Sequence, residues 1–410
     1  MNATAQPEIP TFGEAPTEEG LFAPVNDDVT LEPEVSIVVP ALNEQITIGE
    51  FVAWCREGLR RAGVSGEILI IDSSSDSTPA IALEGGARVL RVPKRGLGRA
   101  YIDALPYIRG KFVIMGDCDL TYDFRELKQF VDCYRNGAEF VMGSRFKGSI
   151  EAGAMPRVHQ YFGTPVTTWI MNFIYRSSFS DIHCGMRGLT RSALERIHLK
   201  SQSWEYASEM VLKASRLRLR TVEVPVHFFK DRDGRLSHHK RAGLWSPWLA
   251  GWINLKVMLV YTPDSFLLKP GVLLFLVGFL LTTSLLGGGY MVGNVGFDLH
   301  YMLLGMTMSV LGYGCVQIGM LARLNHGLRR SILADRFFRW FTYDTGMITA
   351  STVMAMGVLM NVRILWQYLG GGLRLYEISY IAVYGLFLIT VGFQTFGFTL
   401  LTEMMRRISR

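Results

Sequence analysis

The chain has 410 residues, of which 49% are hydrophobic and only 19% are charged. A mean hydropathy of +0.21 is too high for a wholly water-soluble protein, and the length exceeds that of one small domain. The formal charge of +6 is uneven, because residues 1–34 carry eight acids and no Lys or Arg, which leaves +14 for the rest. We therefore expect a disordered acidic tail over residues 1–34, a basic remainder and a membrane part.

The five cysteines are odd in number and lack the C-x-x-C spacing of metal sites: Cys55, Cys118, Cys133, Cys184 and Cys315. This usage excludes a disulfide-held secreted fold and favours a reducing, cytosol-facing compartment. No basic-then-apolar signal sequence opens the chain, so we expect the later apolar segments to direct membrane insertion.

Short β-rich runs alternate with helical stretches after residue 34. The predicted strands cover residues 35–40, 67–72, 87–91 and 112–116, and the predicted helices cover residues 46–62, 78–85, 98–108 and 124–136. Strands separated by helices form parallel sheets in the Rossmann manner. The sequence therefore predicts an α/β domain with a mostly parallel sheet over residues 35–240.

Polar residues cluster directly after three of these strands, at residues 40–44, 72–76 and 117–119. Ligands of such sheets bind outside the carboxyl ends of the strands, so the clusters predict a ligand site. Residues 76–78 also have the sequence of a helix N-cap, and the two roles are compatible. Asp117 and Asp119 would repel each other unless a cation or a proton lies between them. A hard divalent cation, completed by substrate phosphates, removes that repulsion, so this pair predicts a metal site.

Four windows in the last third of the chain are long and apolar enough to cross a bilayer: residues 270–292, 301–322, 345–368 and 378–402. We expect a four-helix transmembrane domain over residues 269–410. Arginines lie between the second and third windows and after the fourth, whereas the other two turns hold only Arg374. The positive-inside rule therefore predicts a multi-pass plasma-membrane protein whose α/β domain and both termini are cytoplasmic.

Residues 241–268 have the pattern of an amphipathic helix in the headgroup layer, and residues 328–343 are a second candidate. The pattern consists of aromatic residues at helical spacing after a basic run at 238–241: Trp245, Trp248, Trp252 and Tyr261. An ordinary amphipathic helix that packs on the α/β domain has the same pattern, so both interpretations stay open. The basic charge lies beside the spans and faces anionic headgroups, which argues against nucleic-acid binding.

Four early motifs follow one another as in the inverting glycosyltransferases of family 2, which have the GT-A fold. They are Val-Val-Pro-Ala-Leu-Asn-Glu (38–44), Ile-Asp-Ser-Ser-Ser-Asp-Ser-Thr (71–78), Asp-Cys-Asp (117–119) and Gly-Ser-Arg (143–145). Four later motifs resemble those of polyprenyl-phosphate hexose synthases such as dolichol-phosphate mannosyltransferase. They are Asp-Ile-His-Cys-Gly-Met-Arg (181–187), Trp-Glu-Tyr-Ala-Ser-Glu-Met (204–210), Val-Glu-Val-Pro-Val (222–226) and Asp-Gly-Arg (233–235). The resemblance implies a GT-A catalytic domain.

The resemblance also implies donor-side roles for the matching residues. Those that would bind the nucleotide are Pro40, Asn43, Glu44, Asp72 and Asp117. Asp117 and Asp119 would lie along the diphosphate with Mg²⁺ or Mn²⁺, and Asp119 would bind the metal directly. Thr121 stands where the family has a metal-binding glutamine. We treat Thr121 as a candidate ligand and leave open a water in its place or help from Asp123.

On the same resemblance, three residues would form the acceptor-phosphate site: Arg145, Arg157 and Asp181. The basic loop of the family is matched only loosely, so the choice of donor-phosphate ligand stays open among its members: Arg232, Arg235, His239 and Lys240. Asp119, Arg145 and Glu209 would act in catalysis. We expect Glu209 to orient Arg145 or to contact the acceptor phosphate.

Together these features predict an inverting enzyme that transfers one hexose from GDP-mannose or UDP-glucose to a polyprenyl phosphate. A lipid phosphate is already anionic near neutral pH, so no strong general base is required. A processive polysaccharide synthase should carry Gln-x-x-Arg-Trp, whereas Arg339-Trp340 here follows Arg336. A non-catalytic nucleotide-sugar-binding scaffold is the third alternative, and it would not need charges that converge on one cleft. No strong Gly-x-x-x-Gly pattern decides whether the spans form a homo-oligomer.

Overall fold

A computed structural model of the protein describes residues 19–24, 32–232, 256, 259, 263–326, 332–370 and 379–408. The chain forms two compact units, Met1–Met258 and Leu259–Arg410. Most of the predicted interfacial helix 241–268 lies outside the described residues. Its last described part, Asp264–Leu268, is a π-helical turn.

The first unit contains an eight-stranded sheet with the strand order β1-β4-β3-β2-β5-β7-β6-β8. The strands are β1 (Gly20–Phe22), β2 (Val35–Ala41), β3 (Gly66–Asp72), β4 (Arg88–Arg91), β5 (Phe112–Met115), β6 (Phe140–Ile150), β7 (Arg187–Thr190) and β8 (Thr221–Phe228). Strands β4, β3, β2 and β5 run parallel, whereas β7 is antiparallel to both β5 and β6. The predicted Rossmann-like, mostly parallel sheet is therefore confirmed.

Within its described residues, the first unit has seven α-helices beside this sheet: α1 (Ile48–Ala62), α2 (Thr78–Glu84), α3 (Leu97–Ala104), α4 (Lys128–Arg135), α5 (Thr164–Tyr175), α6 (Arg191–Ile197) and α7 (Tyr206–Arg216). A π-helical turn, His159–Gly163, leads into α5. The helix predicted from residue 124 begins only at Lys128. Its expected first turn is replaced by a turn in which Asp123 Oδ1 accepts a hydrogen bond from Arg125 N.

The core explains why the candidate residues meet at one edge of the sheet. Strand β2 buries six of its seven residues, as expected for a central strand that is covered on both faces. Its register pairs Ala41 with Asp72 of β3 and Val38 with Met115 of β5. The loops after β2, β3 and β5 therefore leave the sheet side by side, at the carboxyl edge where ligands bind in such folds.

The prediction of disorder over residues 1–34 is wrong at Gly20–Phe22, which forms β1 and pairs antiparallel with β4. The outer side of β4 would otherwise be an open edge with unpaired backbone groups. Gly20–Phe22 provides hydrogen-bond partners for those backbone groups, although residues 1–34 have the composition of a disordered segment.

In the described part of the second unit there are five α-helices, of which four are long and apolar enough to cross a membrane. The helices are α8 (Lys269–Ser284), α9 (Leu299–His326), α10 (Ile332–Trp340), α11 (Tyr343–Gly370) and α12 (Tyr380–Ile408). The prediction of four apolar helices of membrane-spanning length is confirmed. The short α10 falls within the second predicted interfacial segment.

The first span is shorter than predicted, because α8 ends at Ser284 rather than at residue 292. Gly287, Gly288 and Gly289 follow, and Gly288 adopts a φ of 117°, which favours glycine. The next residues form a hairpin of β9 (Tyr290–Val292) and β10 (Val295–Phe297). Hydropathy alone did not separate this apolar hairpin from the helix.

Glycines allow the spans to pack closely in pairs. A Cβ built on Gly278 of α8 would lie 2.5 Å from the carbonyl oxygen of Gly305 in α9. A Cβ on Gly357 of α11 would lie 2.5 Å from the carbonyl oxygen of Gly385 in α12. Small residues of this kind bring helix backbones together where no water drives association.

Candidate active site

The loops after β2 and β3 are locked together by Asn43. Its φ of 57° lies in the left-handed region, which asparagine tolerates better than most residues. The Asn43 backbone N donates to Ser74 Oγ at 2.7 Å, and Asn43 Oδ1 accepts from Ser75 N at 2.9 Å. This predicted nucleotide-binding residue therefore organises the pocket loops themselves.

Glu44 and Pro40 complete the first loop. Glu44 is buried, its backbone N donates to Thr78 Oγ1 at 2.9 Å, and its Oε2 accepts from Thr47 Oγ1 at 3.2 Å. The Pro40 carbonyl oxygen accepts from the Cys118 thiol at 3.5 Å, which ties the end of β2 to the segment after β5. Glu44 thus has a structural role at the start of α1 in addition to its predicted nucleotide contact.

Asp72 is fully buried at the end of β3, where it forms an ion pair with Arg91. Its Oδ2 also accepts from Ser74 N at 3.2 Å. Within the described part of the chain, Asp72 Oδ1 has no hydrogen-bond partner. A buried carboxylate oxygen without a donor is costly, so a ligand N–H or O–H at this point would be stabilising.

Asp117 and Asp119 follow β5 and are both partly exposed. Asp119 Oδ1 accepts from Thr121 N at 3.0 Å and from Thr121 Oγ1 at 2.6 Å. Thr121 therefore orients Asp119, and its predicted role as a metal ligand remains a prediction. The carboxylate of Asp123, the other candidate, accepts hydrogen bonds from Arg125 at both oxygens, each at 2.7 Å.

The donor set is compatible with one kind of metal site. Among the described residues, no group of three or more His, Cys, Asp or Glu side chains is arranged to hold a metal ion. This observation does not fit a closed structural site of the zinc type. Two carboxylates, Asp117 and Asp119, do fit Mg²⁺ or Mn²⁺, which commonly take one or two carboxylates and complete their shell with water and substrate phosphate.

Arg145 lies in β6 and forms a two-pronged ion pair with Asp181. Its Nε donates to Oδ2 at 2.7 Å and its Nη2 donates to Oδ1 at 2.9 Å. Asp181 is fully buried and Arg145 is only 7% exposed. Burial alone would raise the pKa of Asp181, but the hydrogen bonds from Arg145 lower it below its ordinary value. Asp181 therefore holds the guanidinium of Arg145 in one orientation.

Tyr122 is near enough to Asp117 and to Arg145 for both charges to act on it. Its hydroxyl accepts from Gly185 N at 2.8 Å, and a Cβ on Gly185 would lie 2.5 Å from Asp117 Oδ2. The charges of Asp117 and Arg145 both act on this phenol, whose pKa is raised well above its ordinary value, above all by burial. The structure thus brings one predicted donor-side residue, Asp117, and two predicted acceptor-side residues, Arg145 and Asp181, close to one buried, neutral tyrosine.

The prediction that Glu209 orients Arg145 is wrong, because Asp181 does so. Glu209 is fully buried in α7 and forms an ion pair with Lys213. Its carboxylate accepts from Lys200 N at 3.0 Å and from Ser201 N at 2.7 Å. Glu209 therefore stabilises the loop between α6 and α7. Its contact with the acceptor phosphate stays a prediction.

The remaining predicted phosphate ligands are Arg157, Arg232, Arg235 and His239. Arg157 is exposed just before the π-helical turn. Arg232 is exposed and forms an ion pair with Glu50 of α1 at 2.6 Å. Arg235 and His239 lie outside the described residues.

Sequence reasoning missed Glu223, which supports the Arg145 site from β8. Its Oε1 accepts from Ser180 N at 2.6 Å, and its Oε2 pairs with Lys147 Nζ at 2.7 Å. Ser180 directly precedes Asp181. Glu223 therefore restrains the segment from which Asp181 binds Arg145. A signal was present in the motif Val-Glu-Val-Pro-Val, where one acid interrupts an apolar strand.

Two segments of the chain match family models. Residues 36–198 match glycosyl transferase family 2, and residues 320–406 match the glycosyltransferase family 2 C-terminal transmembrane region. Among solved structures, mannosyl-3-phosphoglycerate synthase from Rubrobacter xylanophilus superposes with a TM-score of 0.46 at 19% identity, over 57% of this chain and 75% of that chain.

Two curated relatives come from Haloferax volcanii. The low-salt glycan biosynthesis hexosyltransferase Agl6 is 32% identical over 383 residues, which cover 92% of this chain and 90% of the relative. A dolichyl-phosphate hexose transferase is 27% identical over 210 residues, which cover 51% of this chain and 89% of the relative. Since the similarity to Agl6 extends over nearly the whole chain and both units match models of one family, the protein belongs to glycosyltransferase family 2.

Proposed function

We propose that this membrane glycosyltransferase moves one hexose from a nucleotide diphosphate sugar to a polyprenyl phosphate, with inversion at the anomeric carbon. One observation carries the proposal. The charges of Asp117 and of a buried Arg145, which is held by Asp181, both act on Tyr122, and the chain also has four membrane-length helices. Such a site suits two phosphorylated substrates, one of which is a lipid.

The donor half of the proposal rests on the loops after β2, β3 and β5. Asp72 Oδ1 is a buried acceptor that lacks a donor within the described residues, and the bases of GDP and UDP both carry ring N–H groups. Asp117 and Asp119 would hold Mg²⁺ or Mn²⁺. When bound, such an ion neutralises charge that develops on the leaving diphosphate.

The acceptor half rests on Arg145. Its guanidinium is fixed by Asp181 before any ligand arrives, so little reorganisation is needed to bind an anion. A phosphate monoester oxygen is anionic near neutral pH and can attack without losing a proton. Asp181, which is already bonded to Arg145, therefore does not need to act as a base.

The remaining charge on the donor phosphates would be met by the basic segment that begins at Arg232. In this structure Arg232 is paired with Glu50, and both side chains are exposed. Exposed ion pairs of this kind contribute on the order of 0–1 kcal/mol, so a diphosphate can displace Glu50 at little cost. Arg235 and His239 are the other candidates in the same segment.

The test uses the purified full-length protein in lipid nanodiscs with Mg²⁺, undecaprenyl phosphate and radiolabelled GDP-mannose or UDP-glucose. We expect one labelled lipid, from which mild acid releases a single hexose. Arg145→Lys keeps the positive charge but loses the planar guanidinium that can donate two parallel hydrogen bonds. The substitution should raise the KM for the lipid about tenfold or more. Arg61→Lys, an exposed arginine on α1, is the matched control.

Three results would overturn the proposal. No lipid product with any common nucleotide sugar would exclude the reaction. A ladder of products would indicate a processive polysaccharide synthase. Tight binding of the nucleotide sugar with no turnover would indicate a non-catalytic scaffold.

A further inference from the structure

Gly185 lies in the segment 184–186, which leads into β7. Its φ lies outside the left-handed region, so the backbone conformation does not require a glycine. The surroundings do require one. A Cβ at position 185 would lie 2.5 Å from Asp117 Oδ2, 2.9 Å from Tyr122 Cε2 and 3.3 Å from the Tyr122 hydroxyl oxygen. The space that a side chain would occupy therefore holds the carboxylate of Asp117, with the Tyr122 ring beside it.

Hydrogen bonds on both sides of Gly185 keep this segment in place. The Cys184 carbonyl oxygen accepts from Arg187 Nη2 at 2.6 Å. The Met186 carbonyl oxygen accepts from Gly143 N at 2.9 Å. The segment is thus bonded to β6 and to the first residue of β7. A side chain added at position 185 would therefore not push the backbone back at low cost.

Arg187 is a rigid anchor for this segment, because it is only 1% exposed. Its backbone pairs with Met115 of β5, and its Nη1 donates to the Ala207 carbonyl oxygen of α7 at 2.9 Å. Its guanidinium also lies over the ring of Tyr206, with Cζ 5.7 Å from the ring centroid. Hydrogen bonds from a charged donor are stronger than neutral ones. The bond from Arg187 to the Cys184 carbonyl oxygen therefore resists displacement of the segment.

Tyr122 is also unable to give way. It is 3% exposed, its ring packs against that of Phe228 with centroids 5.0 Å apart, and its hydroxyl accepts from Gly185 N at 2.8 Å. Asp117 differs, because its carboxylate ends a side chain that can rotate, and the residue is partly exposed. A methyl group at position 185 would therefore displace the carboxylate of Asp117 and leave the backbone and the tyrosine in place.

We infer that Gly185 is a positioning residue for Asp117, because the space of its missing side chain fixes where this carboxylate lies. The inference rests on the proposed function, in which Asp117 and Asp119 hold Mg²⁺ or Mn²⁺. Changes to the groups that orient a metal ligand typically alter metal affinity by about 10–100-fold. A glycine whose only role is to pack would affect stability and leave metal affinity unchanged.

The first experiment measures metal binding by the full-length Gly185→Ala protein in lipid nanodiscs. Mn²⁺ is titrated in the presence of GDP or UDP, and the electron paramagnetic resonance signal of free Mn²⁺ reports the bound fraction. The Kd for Mn²⁺ should rise about tenfold or more, because the Asp117 carboxylate is displaced. Binding of the nucleotide alone, measured with EDTA, should stay unchanged.

Gly163→Ala is the matched control. The φ of Gly163 is −59°, and a Cβ there would lie 3.4 Å from His159 Nδ1, which is an ordinary contact. This variant should bind Mn²⁺ as the wild type does. An unchanged Kd for Mn²⁺ in Gly185→Ala would overturn the inference. An equal loss of affinity for the metal and for the nucleotide alone would also overturn it, because that result would indicate a general loss of structure.

The second experiment asks whether Gly185 acts through Asp117, and it needs neither metal nor turnover. Thermal unfolding without metal is compared for Gly185→Ala in the wild-type and in the Asp117→Ala background, where the side chain at position 117 ends at Cβ. The substitution should lower the unfolding temperature less than about half as much in the second background, because the displaced group is gone. An equal decrease in both backgrounds would contradict the inference, since Tyr122 would then limit the space.

Two further outcomes are decisive. If Gly185→Ala does not fold, recovery of folding in the double variant supports the inference, and failure of both variants overturns it. If the wild type binds no Mn²⁺ with either nucleotide, the proposed function loses its metal. The comparison of unfolding temperatures then still shows whether Gly185 places Asp117.

Discussion

The Arg145–Asp181 pair shows how a buried charge is kept ready for a ligand. Taking two charges out of water costs several kcal/mol per ion, and the geometry of two hydrogen bonds offsets that cost. Glu223 and Ser180 then restrain the segment that carries Asp181. Four residues together fix the position of this cation, and only Arg145 and Asp181 were identified from motifs.

Asp119 is the residue whose removal should affect chemistry most directly. Asp119→Asn loses the charge that would hold the metal but keeps an oxygen for Thr121, so the fold should survive. We expect kcat to fall by about 10²-fold or more, because the metal stabilises charge that develops in the transition state. Turnover and the thermal unfolding temperature are measured together.

Asp132→Asn is the control for Asp119→Asn. Asp132 lies on α4, is 47% exposed and forms an ion pair with a surface lysine, so its loss should leave turnover unchanged. Near-normal activity of Asp119→Asn at low Mg²⁺ would remove Asp119 from the metal site.

His183 should make the first unit sensitive to acid. Burial lowers the pKa of His183 to about 4, from an ordinary value of 6.5. Between these values the unfolded chain binds a proton that the folded chain does not, so stability falls as pH falls from 6.5 towards 4. His183→Gln keeps a partner for Thr167 and cannot titrate, so it should flatten this dependence in thermal unfolding. An unchanged dependence would show that other groups cause it.

At the scale of elements, α7 is attached to the loop before it by a buried pair. Glu209 and Lys213 are 0% and 1% exposed, and Lys213 Nζ also donates to the His198 carbonyl oxygen at 2.7 Å. Burial alone would raise the pKa of Glu209, but the hydrogen bonds from Lys213 and Ser201 lower it. The arrangement holds the turn after α6 against the first turns of α7.

Glu209→Ala should therefore reduce stability more than chemistry. It leaves Lys213 without its counter-charge and the N–H groups of Lys200 and Ser201 without an acceptor, which costs roughly 3–5 kcal/mol. Activity per folded molecule should stay close to that of the wild type. Thermal unfolding in detergent and turnover at low temperature measure the two effects separately.

Glu205→Ala is the matched control on the same helix, because Glu205 is only partly buried. It should change neither quantity. If Glu209→Gln instead melts like the wild type but loses turnover about 100-fold, Glu209 acts on substrate as the motif suggested.

At the scale of the whole molecule, the arginines around the spans predict which side is cytoplasmic. The hairpin Tyr290–Phe297 has no Lys or Arg, whereas Arg323, Arg336 and Arg406 lie near the other ends of the helices. We therefore expect the hairpin outside and α10 inside.

Labelling in intact cells with a membrane-impermeant maleimide tests this topology. Cys133 and Cys315, the two partly exposed cysteines, are first changed to Ser. Either Asn294→Cys in the hairpin turn or Trp340→Cys in α10 is then introduced, both at exposed positions. Position 294 should react in intact cells, and position 340 only after the membrane is permeabilised. The opposite pattern would place the glycosyltransferase domain outside the cell.

Local pattern was enough to predict much of this protein. The alternation of apolar and polar runs predicted β2 to β5 and their helices to within a few residues, because burial on both faces imposes continuous apolar strands. Hydropathy predicted four spans, because a bilayer requires about 20 apolar residues in sequence. The ends of parallel strands share one edge of the sheet, which predicted that Asn43, Asp72 and Asp119 belong to one region.

Other features depend on which residues from distant parts of the sequence meet, and only the tertiary structure revealed them. Asp181 rather than Glu209 holds Arg145, Glu223 supports that pair from β8, and Gly20–Phe22 covers the edge of β4. The outward position of aromatic residues on α5, such as Trp169 and Phe173, also became visible only from their exposure, since an amphipathic pattern does not reveal which side faces the core. Sequence spacing determines which side chains share a face, whereas packing determines what that face contacts.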